Sequence, residues 1–200
     1  MWYVMPWFLF FLNHNTLMDG LDTETKLKIY TLIVNRYKDF VNKNEERSVS
    51  EIRQRVSPYD DYVKQFRDRL IEDLQPYNYD KHFFSAVQKI LVYVRNLKTF
   101  RNAVTFWMDF KDIADVGAAS IMDKAILMAA LFRALDSKDV KVMVTKSGKT
   151  YVGFSWNGEL YLILPDTGSM LTGSDATNGL AEDPVSYAFS DLFYESYEEE

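Results

Sequence analysis

A chain of 200 residues with 23 Lys and Arg against 29 Asp and Glu, two His, no Cys, 48% hydrophobic and 16% aromatic content has the profile of one globular domain. Disorder, collagen and disulfide scaffolds are excluded, and so are thiol nucleophiles, Cys-based zinc sites, iron–sulfur ligation and three-His metal centres. All 23 basic residues fall within residues 1–149, whereas residues 150–200 carry ten acidic residues and no basic one. The isoelectric point of about 5.0 opposes association with phosphate backbones, so nucleic acid is not an expected partner.

The chain opens MWYVMPWFLFFL, twelve apolar residues interrupted by Pro6. That run is too short for the roughly 20 residues of a membrane span, and no Lys or Arg precedes Lys26, which disfavours a secretory signal. Three uses stay open for it: packing on the domain, a partner or self-association surface, and an interfacial membrane anchor helped by Trp2 and Trp7.

Helices follow. Asp22 or Thr23 caps a helix whose apolar stripe is Leu27, Tyr30, Ile33, Val34, Tyr37 and Val41, fading at Asn42 to Glu46. Ser48 and Glu51 form a capping box for a short helix ended by Ser57-Pro58. Pro58 starts a third, with Tyr62, Val63, Phe66, Leu70 and Leu74 inward and Lys64, Arg67, Arg69 and Glu72 outward, stopping before Pro76. A fourth follows Asp80 and turns Phe83, Val87, Ile90, Leu91, Val94 and Leu97 inward.

Beyond Trp107 the pattern changes. AASIMDKAILMAALFRAL predicts a helix apolar on nearly all sides, with Ala125, Leu127, Met128, Leu131, Phe132 and Leu135 on its face; such a helix is buried. VKVMVTKSG alternates Val140, Val142 and Val144 inward with Lys141, Met143 and Thr145 on the other face, a half-buried strand. A second strand spans 150–156, Asn157-Gly158 supplies a hairpin turn, and a third strand, Glu159 to Leu164, ends at Pro165. Tyr151, Phe154, Trp156 and Tyr161 are expected to pair across the strands. A buried helix followed by antiparallel strands argues an α+β fold.

The stretch from Ile90 to Gly168 resembles the core of the transglutaminase-like superfamily, whose papain-like thiol enzymes pack a Cys-bearing helix on an antiparallel sheet. That family places a Trp before the string Gly-Asp-Cys-Glu-Asp-x-Ala, a Leu/Ala-rich helix ending Leu-Leu-Arg-Ala-Leu, a His-bearing strand and an Asp-Pro-Thr ending. The matching features here are Trp107, Asp123-Lys124-Ala125, LMAALFRAL, VKVMV, TYVGFSW, NGELYLIL and PDTG. On this reading residues 1–21 are an apolar segment and 22–97 a helical layer. The transglutaminase-like core spans 98–175, packed with that layer, and 176–200 is an acidic segment whose end, YESYEEE, is solvated.

Residue by residue, the resemblance puts the nucleophile at Ile121, the His near Lys149, and the orienting Asp at Pro165 beside Asp166. Ile has no group that attacks a carbonyl, and a lysine ammonium is a poor general base unless desolvated. His14 and His82 lie outside the matching stretch. The resemblance therefore implies a pseudoenzyme with a binding or scaffolding role and an expected protein or peptide partner; no cofactor is expected, and the expected location is cytoplasmic, with peripheral membrane contact through Met1 to Leu12 left open. The alternative is a residual hydrolase or acyltransferase using Ser120, at the start of the central helix, with Lys149 or His82 as base. A helix cap is the plainer role for Ser120, and a packed or surface histidine the plainer one for His82. Asp109, Asp112, Asp115 and Asp123 lack the spacing and bidentate Glu of a calcium loop, and KSGKT lacks the upstream Gly of a phosphate loop, so no metal or nucleotide is expected.

Overall fold

The computed structural model describes residues 20–37, 49–101 and 107–197. Met1 to Leu12, Val41, Ser48 of the expected capping box, and His14 lie outside them. Helix α1 spans Thr23–Leu32 and continues as a π-helical turn at Ile33–Tyr37. It starts where it does because the Asp22 carboxylate accepts the Thr25 N–H at 2.9 Å and the Thr25 hydroxyl at 2.8 Å. The same carboxylate meets the Lys98 ammonium, which also donates to Thr25 Oγ1 at 3.3 Å. These polar ties turn Thr25 and Ile29 inward and leave Leu27 and Val34 exposed, so the expected stripe is split: Ile33 packs against the core, whereas Leu27 and Val34 do not.

α2 is Val49–Arg55. α3, Asp61–Leu70, begins three residues later than Pro58 suggests, because Asp60 is the cap: its side chain accepts the N–H groups of Tyr62 and Val63 at 2.9 and 3.2 Å. A single 3₁₀ turn at Glu72–Leu74 follows. α4, Tyr79–Asn96, is capped by Asn78 and buries Phe83, Val87, Ile90, Leu91 and Val94 as its periodicity predicts. Strand β1 (Lys98–Thr99) pairs in parallel with β2 (Ala118–Ala119), and α5 (Phe110–Val116) lies between them.

The central helix α6 is Ile121–Ala134, and every residue from Asp123 to Phe132 is buried. It is covered all round, by α3 and α4 and by strands β3 (Lys141–Thr145) and β4 (Thr150–Trp156). β5 (Glu159–Leu164), β6 (Ser169–Thr172), α7 (Gly173–Glu182), β7 (Val185–Phe189) and β8 (Tyr194–Ser196) complete the fold. The six-stranded sheet runs β6-β5-β4-β3-β7-β8 with every neighbouring pair antiparallel, so the fold is α+β. Asn157 and Gly158, at φ 52° and 80°, form the β4–β5 turn that their sequence announces. Phe154 stands opposite Tyr161, their rings stacked with centroids 5.1 Å apart.

Two features depart from the sequence reading. The face of β3 expected in water instead holds a second core, in which Met143, Tyr151 and Leu162 pack with Ala176 of α7. Glycine at 153 fits there because a Cβ would come within 2.7 Å of the Met143 sulfur. The segment from 176, expected only as an acidic stretch, also contributes to the sheet, since β7 pairs with β3 from Val142↔Phe189 to Thr145↔Val185. Among the described residues no helix is long and apolar enough to cross a membrane.

Candidate functional site

The residues matched to the family's catalytic positions come from the N-terminus of α6, the β3–β4 hairpin and the turn after β5. Ser120 is the N-cap of α6. Its hydroxyl accepts the Asp123 N–H at 3.1 Å and donates to Asp123 Oδ2 at 2.7 Å, while the Ser120 N–H donates to the same oxygen at 3.3 Å. This is a reciprocal capping box. The other carboxylate oxygen accepts the Met108 N–H at 3.0 Å, so Asp123, 1% exposed, ties the loop before α5 to the helix start.

Burial pushes the Asp123 carboxyl up to about 6, and the three donors from Ser120 and Met108 only partly offset it. The folded state thus holds this proton more tightly than the unfolded chain does. Asp123 contributes stability that is present in full below about pH 4 and is lost as the pH rises through about 6. Urea midpoints measured between pH 4 and 7 should fall with that slope in the parent protein and flatten in Asp123→Asn. An unchanged slope in the variant would place the titration elsewhere.

Ile121 occupies the first turn of α6, partly buried, with only hydrocarbon to offer. Lys149 does not approach it. Alternation along β4 puts Val152 and Phe154 against the α6 core and Tyr151 on the opposite face; the Lys149 ammonium lies 3.9 Å from Asp183, just beyond α7, with its side chain 63% exposed. Pro165 is buried, whereas the Asp166 carboxylate accepts the Thr99 hydroxyl at 2.8 Å. His82 sits at the other end of α6: its Nδ1 accepts the Asn78 N–H at 3.1 Å, and neighbouring Tyr77 donates to the carbonyl of Leu135 at 3.0 Å. Neither base proposed for Ser120 reaches it.

One group missed by the sequence reading dominates this corner. Lys124 is 1% exposed, and its ammonium donates to the Leu97 carbonyl at 2.7 Å and to Thr99 Oγ1 at 2.8 Å. Thr99 passes the contact on to Asp166, joining α6, β1 and the turn after β5. Burial lowers the lysine's affinity for its proton, and the Asp166 charge opposes that loss. The only sequence signal was a lysine directly before the apolar run Ala125 to Phe132 of a helix that is apolar on nearly all sides. Among the described residues no group of three acidic or histidine side chains is gathered to hold a metal, and Asp109 and Asp115 instead meet Arg55 and Lys111. Two clefts, of about 370 and 530 Å³, open around Pro58 and Tyr59, the larger lined also by Arg133 and Ala134 at the C-terminal end of α6.

No family model matches the chain, and neither does any curated protein or solved structure. Chemically, the corner holds a helix start and a strand in place. It presents no thiol, and its one serine–carboxyl contact is sealed by two backbone amides.

Proposed function

We propose that the chain is a catalytically inactive, transglutaminase-like protein that works by binding a protein or peptide. The observation that carries this reading is Ile121 in the first turn of a buried central helix, at the place the family gives its nucleophile, with Lys149 turned to the far face of the sheet. The order of elements adds support: a buried helix followed by antiparallel strands is the order that the resemblance implies. One observation favours a residual hydrolase or acyltransferase instead, the 2.7 Å contact between Ser120 Oγ and the Asp123 carboxyl. Against it, the same hydroxyl accepts the Asp123 amide, and the carboxyl is buried away from any substrate.

The two readings separate in an assay of p-nitrophenyl ester hydrolysis and glutamine transamidation. The expected result is no turnover by the parent protein and none by Ile121→Cys, whose thiol would lack a histidine to generate its thiolate. Ser120→Ala should cost about 1 kcal/mol of stability, the ordinary loss of a helix cap, and change no activity. Ester turnover that Ser120→Ala abolishes while the circular dichroism spectrum is kept would sink the proposal.

A further inference from the structure

Three tightly bonded turns of the chain meet near the C-terminal end of α6, and each presents an exposed side chain. In the first, Asp60 caps α3 through the N–H groups of Tyr62 and Val63, which fixes Tyr59, 75% exposed, between that cap and the buried Pro58. In the second, Asp136 takes a left-handed φ of 71° and folds the chain back on the helix end. The Ser137 N–H donates to the Phe132 carbonyl at 3.1 Å and the Ser137 carbonyl accepts Arg133 at 2.9 Å, so the exposed Lys138 stands on a fixed loop. In the third, Arg53 and Arg133 grip the loop between β7 and β8, yet Leu192 on that loop is 53% exposed. Firm loops hold these side chains in one arrangement, which lowers the ordering cost of binding a partner.

Tyr59, Leu192 and Lys138 line the cleft of about 530 Å³ together with Lys64 and Arg67 of α3 and with Arg133. Four cations thus face a single carboxylate of the lining, that of Asp136, in a chain whose net charge is −6. Arg133 is committed to Asp191. The others are open to exchange. Lys64 stands 3.7 Å from Asp61 and Arg67 holds its neighbour Asp68, exposed pairs of a kind that contributes little, and among the described residues no carboxylate pairs with Lys138.

We propose that this cleft binds an acidic peptide segment of a partner protein, its carboxylates on Lys64, Arg67 and Lys138 and an apolar side chain against Tyr59 and Leu192. The proposal rests on the reading of the chain as a peptide binder and supplies the class of peptide. Tyrosine and arginine are the residues on which binding energy concentrates at interfaces. The smaller cleft, of about 370 Å³, adjoins this one across Pro58 and Tyr59. An extended segment can cross the Tyr59 ring with side chains on both sides, whereas a compact ligand would fill one cleft only. Nucleic acid fits less well, because the net charge of −6 opposes a phosphate backbone that runs on past the cleft. A second copy that met this patch with its own would set the cations against one another.

Fluorescence anisotropy of the full-length protein with three labelled heptapeptides, acidic EELEEFE, basic KKLKKFK and neutral QQLQQFQ, tests this. The parent is expected to bind the acidic probe at least about tenfold more tightly than the neutral one, with an affinity that falls as salt is raised. Lys64→Glu/Lys138→Glu should weaken the acidic probe at least about tenfold and turn the preference toward the basic one. Tyr59→Ala should weaken the acidic and neutral probes about fivefold. Lys146→Glu, at an exposed position beyond the far end of β3 from Lys138, should change neither. All four substituted positions are exposed, and melting curves check that each variant keeps the fold. Equal binding of the acidic probe by parent and double variant would overturn the proposal. If the basic or neutral probe binds the parent as well as the acidic one does, the peptide-binding function stands and this assignment falls; if no probe binds, both fall. Oligo-dT bound more tightly than the acidic probe would give the cleft to nucleic acid, and an oligomer in sedimentation velocity that the double variant dissociates would give it to a second copy; either result overturns the proposal.

Discussion

Phe154→Ala should lower the stability of the protein by about 3–5 kcal/mol, read as a lower urea midpoint at nearly constant slope. Phe154 is 1% exposed at the middle of β4 and meets rings from three other elements. Phe83 of α4 and Phe132 of α6 approach it edge to face at 5.4 and 5.3 Å, and Tyr161 of β5 stacks on it at 5.1 Å. Truncation would leave a hole that backbone from two helices and two strands must collapse to fill, and close packing makes such collapse incomplete. Each lost ring pair adds to the transfer term. A loss below 1.5 kcal/mol would mean that the cluster repacks freely and that the helical layer and the sheet are less firmly joined than their contacts indicate.

Arg133→Ala should cost about 3 kcal/mol, and Asp191→Ala a similar amount, with the double variant well short of their sum. The Arg133 guanidinium meets the Asp191 carboxylate through two parallel contacts, at 2.6 and 3.0 Å, with side chains only 10% and 16% exposed. It also donates to the Ser137 carbonyl at 2.9 Å. Removing either partner strands a charge in a poorly hydrated place, which is why single losses exceed the worth of the pair. The contact fixes the loop between β7 and β8 to the C-terminal end of α6. Arg53 of α2 holds the same loop from the other side through the carbonyls of Asp191 and Leu192, each at 2.9 Å. Strict additivity of the two single losses would show that the pair is not coupled.

Sequence periodicity was informative wherever one face is apolar and the other has charge. α4 turns Phe83, Val87, Ile90, Leu91 and Val94 inward as spaced, α6 is buried on all sides as its composition requires, and Asn157-Gly158 turns the hairpin. It was only partly right at α1, where Ile33 of the expected stripe packs against the core but Leu27 and Val34 are exposed, because spacing says which residues share a face, not which face meets the body. That choice was made by Asp22, Thr25 and Lys98, polar residues that hydrophobic spacing does not weigh. Residues 173–196 were illegible for another reason. GSDATNGLAE has two glycines and weak helix formers, and VSYAF alternates poorly, so α7 and β7 exist by virtue of contacts with the sheet rather than local preference. At the candidate site, the positions of Ser120 and Ile121 on the helix start were readable, whereas the path from Lys124 through Thr99 to Asp166 joins residues far apart in the chain and required the fold.

The position of β7 has a consequence for how the molecule comes into being. β3 is an interior strand, yet one of its two neighbours, β4, follows it by a few residues while the other is made of residues 185–189. During synthesis the hairpins β3–β4–β5–β6 are complete while one edge of β3, with Val142 and Val144 on it, still has open N–H and C=O groups. A ribosome that pauses in this interval holds a half-sheet with a bare, valine-rich border, the kind of edge on which a second nascent chain adds a strand. The same holds for a fragment cut before Val185. Quality control acting on this protein would therefore meet its most adhesive form in chains stopped between the fourth strand of the sheet and the fifth.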